Sequence, residues 1–204
     1  MRVLVVADIH GNLAALEAVL AAAGPVDRVW CLGDVVGYGP RPRECVERIR
    51  EYAGPACVLG NHDAACLGRI PLDGFNPVAR YALRWTTLQL GPEHRAYLES
   101  LPEQFILHEV TLVHGSLRAP IWEYIFTPEQ ALASFALLQT RLCFFGHTHV
   151  PFLLSETAAH RGEPPIRPSD GETIEVRDGR YLINPGSVGQ PRDGDPRAAF
   201  AIWE

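Results

Sequence analysis

Leu142-Cys143-Phe144-Phe145-Gly146-His147-Thr148-His149 is a run of four apolar residues that breaks at a glycine and then presents two imidazoles. An apolar segment this short, bounded by Gly, reads as a buried β-strand, with the polar residues at its carboxyl end. The same form recurs along the chain. Val3–Ala7 stops at Asp8-Ile9-His10, Val29–Leu32 at Gly33-Asp34, and Ala56–Leu59 at Gly60-Asn61-His62-Asp63. Val110–Val113 stops at His114-Gly115, and Tyr181–Ile183 at Asn184-Pro185-Gly186-Ser187. Ligands of α/β sheets bind beyond the carboxyl ends of the strands. Strand ends carrying this chemistry therefore predict one shared site.

Helical patterns lie between the runs. Asn12 can cap a helix reaching Gly24, with Leu13, Leu16, Val19 and Leu20 on one face. Pro42 opens another, with Cys45, Val46 and Ile49 inward. Strand, helix, strand, helix, strand is the α/β order. Residues 64–102 carry no motif; Val78, Tyr81, Ala82, Trp85 and Leu88 keep helical spacing and Pro92 starts a second short helix. That stretch reads as a small helical insertion in a single domain over 1–204. Thr127-Pro128-Glu129-Gln130 is a capping box that starts a helix to about Gln139. Glu172–Arg177 and Arg180–Asn184 flank Asp178-Gly179 and predict a hairpin, and Ala198–Trp203 predicts a last strand. Residues 155–171 hold Pro164, Pro165 and Pro168 and read as an exposed loop.

Charge and cysteine usage exclude several functions. All 18 basic residues are Arg against 24 acids, a net charge of −6. With no Lys there is no P-loop and no Schiff-base chemistry. An acidic chain is not expected to bind nucleic acid or an anionic membrane stably. The five cysteines are an odd number with no Cys-x-x-Cys, which argues against a disulfide framework or a thiolate zinc site and fits a reducing compartment. The apolar run at the N-terminus is too short for a signal peptide, and no stretch has the length of a membrane span. A cytoplasmic, soluble protein is expected, with a homo-oligomer left open.

The side chains gathered at the strand ends are Asp8, His10, Asp34, Asn61, His62, His114, His147 and His149. They are oxygen and imidazole donors without sulfur, a set that suits divalent Mn, Fe, Co, Ni or Zn. Residues two apart on a strand point the same way, so Asp8 and His10 can share one ion. His147 and His149 can share a face, or reach two adjacent ions from a turn. Asp34, with two oxygens, can bridge two cations. A lone Asp-x-His or Gly-Asp carries little; the joint occurrence in this order carries the reading, because so many buried ionisable groups without a cation would cost several kcal/mol. His94, His108 and His160 stand outside the clusters and read as surface or structural residues.

The order DIH, GD, GNHD, VHG, GHTH resembles the calcineurin-like metallophosphoesterase superfamily, and Asn184–Arg192 with the short chain resembles its small bacterial phosphodiesterase branch. The resemblance implies a four-layer α/β/β/α sandwich with a dinuclear metal centre, manganese favoured. By motif, Asp8, His10, Asp34 and His149 would hold one metal, and Asp34, Asn61, His114 and His147 the other. His62 would be the general acid for the leaving alkoxide. A hydroxide bridging two ions roughly 3.5–4 Å apart would attack phosphorus in line.

One departure matters. Phosphatase members of the family carry Asp-Arg three and four residues after the bridging Asp, where this chain has Gly37 and Tyr38. A phosphate dianion wants a bidentate cation, so a small phosphodiester is the expected substrate. A phosphomonoesterase, a dinucleoside-polyphosphate hydrolase and a protein-interaction scaffold on the same fold are the competing readings. Tyr38, Arg118 and Trp122 are candidates for lining the cleft.

Overall fold

A computed structural model of the chain describes residues 1–204. Strand β1 (Val3–Val6) pairs in parallel with β2 (Arg28–Cys31) and antiparallel with β8 (Ala201–Trp203), giving a sheet of order β2-β1-β8. The second sheet has the order β3-β4-β5-β7-β6. Its strands are β3 (Gln104–Leu107), β4 (Val110–Val113), β5 (Leu142–Phe144), β6 (Phe152–Ser155) and β7 (Tyr181–Asn184).

Alternation along the strands builds the layers. Val3, Val5 and Ala7 face Leu112, Leu142, Phe144 and Ile183 between the sheets. Leu4, Val6, Val29 and Cys31 face helices α1 (Leu13–Ala23), α2 (Pro42–Tyr52), α3 (Asn61–Cys66), α4 (Pro77–Gln89) and α5 (Pro92–Ser100). Val113, Cys143, Phe145, Phe152 and Leu182 face α6 (Pro128–Leu137) and α7 (Glu156–Arg161) on the far side. The result is the expected α/β/β/α sandwich.

Local signals hold at α1, capped by Asn12, and at α6, opened by the Thr127 capping box. Three expectations change. Ala56–Leu59 makes only one parallel bridge, Cys31 with Cys57, rather than a strand. Residues 172–177 form no hairpin arm, because β7 is already paired on both edges, by β5 and β6. The loop expected over 155–171 begins with α7, capped by the Ser155 side chain and closed by Gly162 at φ 67°. On α4 the buried face is Ala79, Leu83 and Thr86; the stripe Val78, Tyr81, Trp85 and Leu88 faces outward. Both stripes keep helical spacing, so periodicity identified the helix and not its docking side.

Candidate metal centre

The loops after the strands are zipped together by backbone bonds. Asp8 N–H donates to Gly33 O, His10 N–H to Asp34 O, and Gly11 N–H to Val35 O. On the other flank Val188 N–H donates to Ala7 O and Gly189 N–H to Asp8 O, and Gly146 N–H donates to His114 O. Asn184 fastens the Gly146–His149 turn by donating to Gly146 O at 2.7 Å and to Thr148 Oγ1 at 3.1 Å. Ser187 Oγ donates to Asp8 O at 2.8 Å. The Asn184–Ser187 turn therefore works as a clamp.

All seven residues expected to hold metal are buried, and the structure brings them to one place. Asp8, His10 and His149 form one group of donor atoms within 4.8 Å of each other; Asp34, His114 and His147 form a second. Nε2 of His10 and of His149 lie 3.2 Å apart, and Nε2 of His114 lies 3.1 Å from both Nδ1 of His147 and Oδ1 of Asn61. Asp34 Oδ2 is 3.6 Å from His10 Nε2 and 3.5 Å from His114 Nε2, one oxygen between the two groups. Gly60 permits this: a Cβ there would sit 2.1 Å from Asp34 Oδ1.

The route to convergence differs from the strand-face reading. Asp8 and His10 lie beyond β1 with φ of 53° and 50°, and His147 and His149 occupy a turn with φ of 65° and 59°. Asp34 has φ 53°. Left-handed backbone at a non-glycine residue costs roughly 1–2 kcal/mol. Its concentration at five of the seven candidate ligands marks a site whose geometry outweighs local comfort. Thus His147 serves the second group while His149 serves the first.

The donor chemistry fits divalent ions. Each histidine turns its remote ring nitrogen to a backbone carbonyl: His10 Nδ1 to Val36 O at 3.2 Å, His114 Nδ1 to Leu32 O at 2.7 Å, His147 Nε2 to Trp122 O at 3.1 Å, and His149 Nδ1 to Gln190 O at 2.5 Å. A donor fixed there leaves the inward nitrogen unprotonated, as a metal requires. Burial, then the neighbouring His62 and His149 charges, holds His10 well below the usual histidine range, and burial with His114 does the same for His147. Burial pushes the Asp34 carboxyl up, with the Asp63 and Asp8 charges adding to it. Burial alone would raise Asp8 too, but the His149 charge and hydrogen bond hold it below the carboxylate range. A cluster in which His10 and His147 resist protonation and the central Asp34 resists ionisation is relieved by cations.

His62 adjoins the centre: with His10 and Asp34 it forms a third group of donor atoms within the same 4.8 Å. Its ring lies 4.6 Å from His10 and 4.9 Å from Tyr38, centroid to centroid. Nδ1 is sealed against Gly37 with no hydrogen-bond partner, which leaves Nε2 as the nitrogen able to meet a ligand. Burial, then the His114 and His149 charges, lowers its pKa to about 3. The next residue, Asp63, has a role that sequence reading missed: its carboxylate accepts from the N–H groups of Val35, Val36 and Gly60 at 3.1–3.3 Å, locking two loops together.

A cleft of about 750 Å³ opens onto the centre, lined by Asp34, Asn61, His62, His147 and His149 together with Tyr38, Phe75, Asn76, Trp122, Tyr124, Gln190 and Arg192. Tyr38 and Trp122 were legible candidates. Arg118 is not among the lining residues; it pairs with Glu123. Phe75, Tyr124 and Arg192 come from separate loops without a shared motif, and only Arg192 fell in a segment already singled out.

Comparison with known proteins identifies the family. The model of the calcineurin-like phosphoesterase superfamily domain matches residues 1–204. A metallophosphoesterase of Sphaerobacter thermophilus is 59% identical and superposes with a TM-score of 0.93, covering 100% of this chain and 83% of that one. An uncharacterized protein of Methanocaldococcus jannaschii is 41% identical over 98% of this chain and 81% of its own length. Phosphodiesterase YfcE of Escherichia coli is 28% identical over 96% and 84%. No helix of the chain is long and apolar enough to cross a membrane. With a family model spanning every residue, the chain belongs to the calcineurin-like phosphoesterase superfamily and is a hydrolase acting on ester bonds.

Proposed function

We propose that the chain hydrolyses small phosphodiesters in the cytoplasm with a pair of divalent transition ions, manganese favoured. Asp8, His10, Asp34 and His149 hold one ion, and Asp34, Asn61, His114 and His147 the other. The observation that carries this reading is the single Asp34 oxygen lying 3.6 and 3.5 Å from histidines of the two groups. Bound there, the ions would supply Lewis acidity to the phosphoryl oxygens and lower the pKa of water.

The chain's own residues do the rest. His62 presents Nε2 to the cleft and gives a proton to the leaving oxygen. An anionic phosphoryl group beside the ring favours its protonated form, against the burial that holds the free ring near pKa 3. Asp63 keeps the loops carrying Asp34 and His62 in register. A diester is favoured over a monoester because Gly37 and Tyr38 stand where a phosphate-gripping Asp-Arg would be, and the one cationic side chain of the cleft, Arg192, is exposed.

The test crosses Mn, Ni, Zn and Mg with nitrophenyl diester, nitrophenyl monoester, cyclic nucleotides and dinucleoside polyphosphates. Metal-dependent cleavage with the diester fastest is expected. Undiminished cleavage after complete chelation would overturn the metal assignment, and a faster monoester would overturn the substrate class.

A further inference from the structure

Two series of aromatic rings lead outward from the candidate centre. Phe75 stands edge-on to His62 at 5.1 Å, and Trp122 edge-on to Phe75 at 5.1 Å. On the other flank Tyr124 stacks on His147 at 3.8 Å and 12°, and Phe126 stacks on Tyr124 at 5.0 Å and 14°. Trp122 is 42% exposed and Phe126 65%. Large rings left in water at the rim of a site offer it binding surface. Gly74 is shaped to this end: a Cβ there would meet the Trp122 ring at 2.7 Å.

The cleft also holds a cation. Arg192 bonds Gln190 Oε1 at 2.8 Å and faces the Tyr124 hydroxyl, with no carboxylate pairing it. Asp34 is the only acidic residue of the lining. Flat apolar faces, one free guanidinium and the side-chain amides of Asn76 and Gln190 make a combination that suits neither an alkyl chain, which has no use for the cation and amides, nor a bare sugar phosphate, which leaves the rings wet. A volume of about 750 Å³ suits a ligand of drug-like size.

We propose that this cleft binds the nucleoside part of the phosphoester, its base against the exposed face of Trp122 and a phosphate oxygen on Arg192. The proposal deepens the phosphodiesterase reading and rests on it for the position of the phosphate. Stacking of a base on an aromatic side chain is worth about tenfold or more in affinity.

Two arms test it. In the metal-free protein, calorimetry compares AMP with ribose 5-phosphate. AMP is expected to bind about tenfold tighter. In the metal-loaded protein, kcat/KM is compared for adenosine 5′-(methyl phosphate) and ribose 5-(methyl phosphate). Wild type is expected to prefer the base-bearing diester, Trp122→Ala to bring the ratio near one, and Trp122→Phe to restore part of it. Gly74→Ala, which pushes the indole aside without removing it, is expected to lower the ratio as well. Equal binding of AMP and ribose 5-phosphate would overturn the proposal, as would a ratio untouched by Trp122→Ala. If neither diester is cleaved under any metal, the hydrolytic reading fails while the binding arm still decides the cleft.

Discussion

The Asp8 carboxylate accepts the backbone N–H of His147 through both oxygens, at 3.2 and 3.0 Å. One side chain thus carries two duties. It ties the end of β1 to the turn after β5, and it offers an oxygen 3.3 Å from His149 Nε2 for a cation. The duties separate by substitution. Asp8→Asn keeps an acceptor for the His147 N–H and removes the charge; Asp8→Ala removes both and strands a buried donor. Asp8→Ala is expected to lose about 1–3 kcal/mol more stability than Asp8→Asn in urea denaturation of the metal-free protein. Both are expected to lose metal in elemental analysis. Equal stability of the two would show that the backbone bond contributes nothing.

Asp34 links the two donor groups, so its loss should uncouple them. Asp34→Ala is expected to bind at most one ion per chain tightly, against two in the wild type. Gly60→Ala should produce the same phenotype without touching a ligand, because its Cβ would occupy the space of Asp34 Oδ1. Two tightly bound ions in Asp34→Ala would contradict the bridging assignment.

Why the site was more legible than the fold around it follows from these residues. The donors sit in short contiguous words, each at the stop of an apolar run, so chemistry and position could be read together. What the words did not carry was conformation: Asp8 and His10 converge through left-handed backbone, not through a shared strand face. Elements whose fate depends on distant partners were read less well. Asp178-Gly179 is a valid local turn signal, but β7 had no free edge for a hairpin arm. β3, half-buried at a sheet edge, and β6, following Pro151, have apolar runs of only three residues that stop at no residue of the metal centre, and were missed. The cleft was the least legible part, since Phe75, Tyr124 and Arg192 are brought together only by tertiary folding.

His62 is expected to matter in proportion to the leaving group's need for a proton. His62→Ala should retain both ions and lose about 100-fold or more in turnover on an alkyl diester. It should lose far less on a nitrophenyl diester, whose leaving phenolate needs no acid. Metal content by elemental analysis and the two kcat values check this together. Equal losses on both substrates would remove the general-acid role and leave His62 a positioning residue.

The metal-free protein should weaken on mild acidification. His10, His62 and His147 are held neutral by burial, with folded pKa values below the usual 6.5 and His62 near 3. Each must take up a proton on unfolding once the pH falls below 6.5. Their contribution to stability is therefore complete above that pH and is lost on the way down, by roughly 1.4 kcal/mol per pH unit for each histidine until its folded pKa is reached. Asp34 and Asp63 act in the opposite sense. Their raised folded pKa values mean the native state keeps protons the unfolded chain has released, so between the ordinary carboxyl value and the raised one each gains stability as the pH falls. Three imidazoles against two carboxyls leave a net loss. Denaturation midpoints in chelator at pH 7 and pH 5 measure it, with the lower midpoint expected at pH 5. A midpoint that stays level or rises at pH 5 would mean that these histidines are already charged, or already exposed, in the native metal-free protein.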